Sequence, residues 1–227
     1  MLRIYGVPIS VHTRKAIVVA LAKALPFEVV PVVPVVPGNP PQNWREISPT
    51  GLIPALADGD FTVADSAAVC AYLERLAPSP SLYPREAQAQ ARALSLEQYA
   101  GTLFREVVHP LFHETFVHPK VRGVPTDQAR VHDVLTYALP QHFGYLDREA
   151  AGGLFCGAAL TVADIAVASN LVTLQYIGFD PRWDEFPALA LHFERVLAHP
   201  AMREALRREE PVVRSMGLQG EFLAAHV

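Results

Sequence analysis

Two cysteines in 227 residues, no long apolar run and no cluster of basic residues are the first constraints this chain sets. Cys70 and Cys156 have neither the spacing of a metal site nor that of a redox pair, so both read as core thiols and no disulfide framework is expected. A membrane-spanning helix needs about 18 or more consecutive apolar residues, and the chain contains no such stretch. The opening Met1-Leu2-Arg3-Ile4-Tyr5 enters a strand pattern directly, so a signal peptide is not expected either, and the expected location is the cytoplasm. Arg and Lys are scattered and the formal net charge is -4, which excludes the clustered positive face that phosphate backbones require. The expected partner is a small molecule, with no nucleic acid and no membrane. A hydrophobic share of 51% is ample for a packed core without staples.

What is present is organised around residues 48 to 66. Ile53-Pro54-Ala55-Leu56-Ala57 reads as a short apolar strand, Asp58-Gly59 as a turn pair that accepts positive φ, and Phe61-Thr62-Val63 as the return strand. Asp65-Ser66 then opens an alanine-rich run to about Leu76, where either residue can cap the free N–H groups of a helix. A proline at the head of the strand leaves the backbone N–H and C=O of Ile53 available to an outside ligand, while the helix start suits an anion.

Before this hairpin the pattern is strand (Leu2 to Tyr5), break (Gly6-Val7-Pro8), helix (Thr13 to Leu25) and strand (Phe27 to Val33), with Pro31 and Pro34 confining that last strand to an edge. Four prolines between Pro34 and Pro41 require an extended loop, and Asn43 to Glu46 has room for one helical turn. β-α-β followed by an antiparallel hairpin and a helix is a small mixed α/β domain, expected over residues 1–78.

Residues 79–84 form a proline-punctuated linker, after which strand signals nearly vanish and an all-helical domain is expected over 85–227. A helix from Arg85 to about His109 should kink or stop at Pro110, and a second from Thr126 to Ala151 should kink or break near Leu139, before Pro140. Thr161 and Asp164 form a capping box ahead of an apolar helix reaching about Ile177, which should sit at the centre of the domain. Shorter helices run from Pro187 to Leu197 and from Pro200 to Arg208, and the last fifteen residues read as a loosely packed tail.

Three segments, YGVPISVHTRKAIVVAL, SPTGLIPAL with ADSAAVCAYL, and GLFCGAALTVADIAVA, together resemble the cytosolic glutathione transferases, of the bacterial, serine-type kind related to the beta and theta classes. The resemblance covers nearly the whole chain. It implies a thioredoxin-like first domain, an all-helical second one, and glutathione as co-substrate. It further implies that Ile53 pairs its backbone with the cysteinyl backbone of glutathione, that Pro54 is cis, and that Asp65 and Ser66 hold the γ-glutamyl end. Ser10, between the first strand and first helix, becomes the expected catalytic residue: a hydroxyl donor to the glutathione sulfur rather than a nucleophile. A thiol of pKa about 8.5 is a few per cent thiolate at pH 7, and a charge-assisted hydrogen bond of roughly 1.5 to 3 kcal/mol would lower that pKa by about one to two units. Tyr5 is the rival donor, although its place inside the strand favours a core role. An N-cap is the bland reading of Ser10.

Two positions depart from the family pattern. Val11 stands where many relatives have proline, and Leu52 where many have a lysine for the glycyl carboxylate of glutathione; Arg45, His12 or Gln42 could replace that contact. Phe104, Val108, His109 and Phe112 are the expected wall for a second, electrophilic substrate. His109, His113 and His118 form a cluster, but Pro110 interrupts the helix and no carboxylate-rich ligand set accompanies them, so no metal is expected. A homodimer is implied by the resemblance, and reaction type within the class is left open. The alternative is a non-catalytic binding or interaction protein that kept the fold, with Leu52 as its best support.

Overall fold

A computed structural model describes residues 1–34 and 39–226. A four-stranded mixed sheet has the order β2-β1-β3-β4, with β1 at Leu2–Tyr5, β2 at Phe27–Val30, β3 at Ala55–Asp58 and β4 at Phe61–Ala64. β1 and β2 pair in parallel, joined by helix α1 (Val11–Ala22), while β1 to β3 and β3 to β4 are antiparallel. The edge position expected for the second strand is the one observed, although pairing stops at Val30 rather than Val33. Asp58 faces Phe61 in the hairpin, so Gly59 and Asp60 form its turn and Gly59 takes φ +60. That shifts the expected turn by one residue. The expected loop between Pro34 and Pro41 lies partly outside the described residues.

The sheet divides its side chains by the two-residue period of a strand. Leu2, Ile4 and Leu56 join the large core shared with the helices, whereas Tyr5, Ala55 and Ala57 form a second small cluster with Val32, Trp44 and Ile47. Trp44 and Ile47 come from α2 (Trp44–Ile47), and α3 (Ser66–Leu76) covers the other face together with α1. Tyr5 is therefore a core residue, as its place in the strand suggested.

Among the described residues seven further helices, α4 (Ala87–Leu103), α5 (His109–Phe112), α6 (Gln128–Asp133), α7 (Leu139–Glu149), α8 (Val162–Tyr176), α9 (Pro187–Leu197) and α10 (Pro200–Ser215), precede α11 (Glu221–His226). Among the described residues no helix is long and apolar enough to cross a membrane.

The chain does not break at Pro110 or Pro140. A wide π-helical turn at Phe104–Val108 precedes His109-Pro110, and another at Val134–Ala138 precedes Leu139-Pro140. In each, the residue before the proline donates its N–H five residues back, His109 to the Phe104 carbonyl and Leu139 to the Val134 carbonyl. Proline is intolerable in an α-helix because its ring meets the carbonyl four residues earlier and its nitrogen has no proton. A π turn changes that register just where it matters, so the helical path continues. Pro119 sits inside a third such stretch, His113–Arg122. The tail is also tighter than expected: α10 runs past Arg208 to Ser215, Leu223 of α11 is buried, and Phe222 stacks on Phe193 at 6.0 Å.

α8 is the centre of the helical part, with all but one of its residues buried. Its capping box is present: the Thr161 N–H donates to Asp164 Oδ2 at 2.7 Å and the Thr161 hydroxyl to the same oxygen at 2.6 Å. Asp164 Oδ1 accepts the Phe155 N–H and faces His192 Nε2, each at 2.9 Å. Burial works to raise the Asp164 carboxyl, but the bonds from His192, Thr161 and Phe155 outweigh it and hold the group below the usual carboxylate range.

α1 lies between the sheet and the helices, packed on α3, α8 and α10, and it carries a fully buried Arg14. All five N–H groups of that guanidinium find acceptors. Nε and Nη2 hold Glu209 of α10 at 2.7 and 2.8 Å, Nη1 reaches the Ser169 carbonyl at 2.5 Å and Thr173 Oγ1 at 3.1 Å, and Nη2 also donates to the Ile9 carbonyl at 3.1 Å. The Tyr176 hydroxyl donates to Glu209 at 2.6 Å. Removing one partner of a buried pair leaves a charge without its counterion, at a cost of about 3 to 5 kcal/mol. Glu209→Ala is thus expected to lose that much stability in urea unfolding, and the double change Arg14→Met with Glu209→Leu to lose less. A Glu209→Ala loss below about 1 kcal/mol would contradict this account of the pair.

Candidate functional site

Ile53 ends an extended approach to the sheet, and the Ile53-Pro54 peptide is cis, as the resemblance implied. Among the described residues neither the N–H nor the C=O of Ile53 makes a backbone hydrogen bond. Backbone groups with no internal partner must be met by water or a ligand, so these two are open to an extended peptide-like molecule. They face a cleft of about 550 Å³ whose lining includes Ile53, Pro54, Asp65, Ser66, Leu52 and His12. Six residues singled out in the sequence thus line one space.

Asp65 stands at φ +82, in the left-handed region that side chains rarely adopt. Its carboxylate accepts the Ala67 N–H at 2.8 Å and that of Ala68 at 3.4 Å, so the cap expected of it is made. Ser66 is buried at the first position of α3. A capped helix start with a carboxylate and a hydroxyl beside the cleft is suited to both ends of an amino acid: the carboxylate of Asp65 to an ammonium, the helix N–H groups and Ser66 to a carboxylate.

Ser10 lies one residue before α1, half-buried, with extended backbone and no capping hydrogen bond from its side chain. Its backbone is held at both sides: its N–H donates to the Val7 carbonyl at 3.1 Å and its carbonyl accepts the Arg14 N–H at 2.8 Å. Ahead of it, Gly6 donates to the Val30 carbonyl, and a Cβ at Gly6 would run into the Thr13 side chain, so glycine is required there. The hydroxyl is not engaged as a cap, and Ser10 does not line the cleft; His12, two residues on, does.

His12 also lines a second cavity of about 340 Å³ that shares Leu52, Asp65 and Ser66 with the first and is closed by Phe104 of the π turn. The His12 ring meets Phe104 edge-on at 4.7 Å. Burial and then the Lys15 charge push the His12 pKa down to about 4, with Asp65 opposing. The floor of this cavity is polar: Lys15 Nζ bonds Glu97 Oε1 at 2.8 Å, and Asn170, only 1% exposed, leaves its Oδ1 without a partner. None of Lys15, Glu97 and Asn170 stood out in the sequence, because polar residues on a helix pattern read as surface positions, and only the crossing of α1, α4 and α8 brings them together.

The expected acceptor wall is corrected in part. Phe104 lines the second cavity, but Val108 is wholly buried in the core, turned inward by the π turn that it ends. His109 and Phe112 line neither cavity; His109 is exposed and packs on Phe104 at 5.6 Å. Of the three residues that could replace a lysine at Leu52, only His12 lines the cleft. Arg45 donates to the Pro49 carbonyl at 3.1 Å and lies over Gly51, and Gln42 is exposed. Leu52 itself is 65% exposed at the cleft mouth. Burial pushes the Cys70 thiol up to about 12, which removes it as a nucleophile. Of metal-binding sets, His113, Glu114 and His118 place one ligand atom each within 4.8 Å of the others.

Two family models match this chain. The family model described as the glutathione S-transferase N-terminal domain matches residues 4–81, and that of the C-terminal domain matches residues 112–209. The chain is 24% identical over 213 residues to glutathione S-transferase Z2 of Arabidopsis thaliana, covering 92% of each chain. It is 28% identical over 163 residues to a dichloromethane dehalogenase of Methylophilus leisingeri, covering 69% of this chain and 60% of that one. A solved glutathione S-transferase from Rhodospirillum rubrum superposes with a TM-score of 0.81 at 27% identity, covering 91% of this chain and 92% of that chain.

The depressed His12 pKa has a consequence for acid stability. Between pH about 4 and 6.5 the unfolded chain binds a proton at His12 that the folded chain does not, so this residue's contribution to stability rises with pH through that window and is lost as pH falls through it. NMR titration is expected to find the His12 ring neutral at pH 6 and titrating near 4. A midpoint at or above 6 would contradict the effect assigned to burial and to the Lys15 charge.

Proposed function

Because the chain belongs to the glutathione S-transferase family, we propose that it binds glutathione in the cleft at Ile53 and stabilises the sulfur as thiolate with Ser10. The thiolate is then presented to a small electrophile in the adjoining cavity closed by Phe104. The observation that carries this is the convergence on one cleft of the unpaired Ile53 backbone, Pro54, Asp65 and Ser66. The cysteinyl backbone of glutathione would pair with Ile53, and its γ-glutamyl end would lie at the start of α3. The glycyl carboxylate would meet His12, which is neutral at pH 7 and offers one hydrogen bond without charge. Binding weaker than a lysine would give follows from that. The first domain, 1–78, supplies the glutathione side, and the helices of 85–227 the electrophile side.

Ser10, outside the cleft lining but two residues from His12, which lines both cavities, is the proposed donor to sulfur. Its hydroxyl is unused as a cap, and the start of the twelve-residue α1 favours negative charge beside it. The second cavity has a polar floor at Lys15, Glu97 and Asn170, which favours an electrophile that carries polar groups over a purely apolar one. Substitution, addition, isomerisation, peroxide reduction and dehalogenation all use the same thiolate, and the names of the relatives already span a transferase and a dehalogenase. A cytoplasmic homodimer is part of the proposal; light scattering that returned a single 24.8 kDa species at micromolar concentration would remove the dimer from it. The second reading, a binding protein without catalysis, has the exposed Leu52 in its favour.

The test is the ultraviolet thiolate band of bound glutathione against pH. Ser10→Ala is expected to raise the bound thiol pKa by about one to two units while affinity near pH 7 falls only modestly, since Ile53, Asp65 and Ser66 remain. Superimposable curves would take Ser10 out of the mechanism. A flat calorimetric titration at millimolar glutathione, with no shift in thermal unfolding, would favour the second reading instead, in its form as a non-catalytic interaction protein.

A further inference from the structure

His113, Glu114 and His118 occupy the π-helical stretch that follows α5, beyond both cavities. A π turn bonds residues five apart, so it places His113 and His118 one turn from each other on the same face; an ordinary α-helix would splay them. Their rings lie 4.4 Å apart between centroids. Glu114 is almost fully buried beneath them. Its Oε2 accepts the Asp127 N–H at 3.0 Å and faces His118 Nδ1 at 2.8 Å, while its Oε1 has only Arg130, at 4.0 Å. A divalent cation that displaces the proton held between His118 Nδ1 and Glu114 Oε2 can take both atoms as ligands.

We propose that His113, Glu114 and His118 form a binding site for a divalent transition cation of the Zn²⁺ type. One donor atom of each already lies within 4.8 Å of the other two. In a tetrahedral site Zn–N and Zn–O bonds of about 2.0 to 2.2 Å put ligand atoms about 3.4 Å apart, so the half-buried imidazoles need close by up to about 1.4 Å. Two imidazoles and a carboxylate suit Zn²⁺ and its neighbours rather than Mg²⁺ or Ca²⁺, which call for oxygen ligands. The remaining positions are open to water, because His113 and His118 reach solvent. An ion here would clamp the π segment to the start of the Thr126-Asp127 turn, since Glu114 also accepts the Thr126 hydroxyl at its carbonyl, at 2.8 Å.

The experiment uses the untagged full chain, dialysed against chelator and titrated with Zn²⁺ by calorimetry, with Co²⁺ absorption as the spectroscopic readout. One ion per chain is expected, with affinity falling about tenfold or more in His118→Ala and in Glu114→Gln, and also in His113→Gln, a variant chosen to spare the helix. His109→Ala, outside the trio, should bind as the unaltered protein does. Saturating Zn²⁺ should raise the thermal midpoint of the unaltered protein and not of His118→Ala. Absence of binding up to millimolar Zn²⁺, or affinity in the His113→Gln/His118→Ala double variant equal to that of the unaltered protein, would overturn the assignment.

Discussion

The buried guanidinium of Arg14 is the interaction on which the rest of the structure depends. α1 has to serve two partners at once, the sheet on one side and α8 with α10 on the other, and a side chain with five donors in a rigid fork can address both. Through Glu209, Ser169 and Thr173 the guanidinium ties the α/β part to the helical part, and through the Ile9 carbonyl it holds the residue directly before Ser10. Burial alone would lower its pKa; Glu209 and then Tyr176 reverse this and keep it firmly charged. A packing device and the positioning of a reactive loop are here the same set of hydrogen bonds.

The site follows from what that frame leaves unfilled. Strand β3 begins at Ala55, one residue beyond the cis proline, so Ile53 stands outside the ladder with both backbone groups free. Asp65 adopts a left-handed conformation between β4 and α3, which turns the chain abruptly and sets the helix start beside the same cleft. Backbone strain of this kind persists only where the surroundings impose it, and it gathers at ligand clamps. The neighbouring cavity inherits its polar floor from Lys15 and Glu97, a buried pair that also closes the gap between α1 and α4.

Much of this was legible in the sequence where a local rule had a single outcome. The hairpin, the Thr161-Asp164 box, the almost wholly buried α8 and the core role of Tyr5 each followed from period or capping chemistry. The helix continuing through Pro110 and Pro140 did not, because a proline signals a break in the α-helical ladder without saying that a π turn will carry the path on. That miss moved Val108 from the cavity wall to the core. Arg14, Lys15 and Asn170 were invisible for another reason: a charged or amide residue in an apolar helix reads as a surface position until the crossing helices are known. The tail was misjudged because Leu223 and Phe222 are too few to give a period, yet they suffice to dock a short helix.

The central claim is that glutathione lies along the free backbone of Ile53 with its amino-acid end at the start of α3. Amide NMR of the isotopically labelled protein during a glutathione titration tests it most directly. The account predicts saturable shifts at Ile53, Asp65, Ser66 and Ala67, with the His113–Arg122 stretch unmoved. A spectrum unchanged at millimolar glutathione, or shifts confined to the helical part, would contradict it.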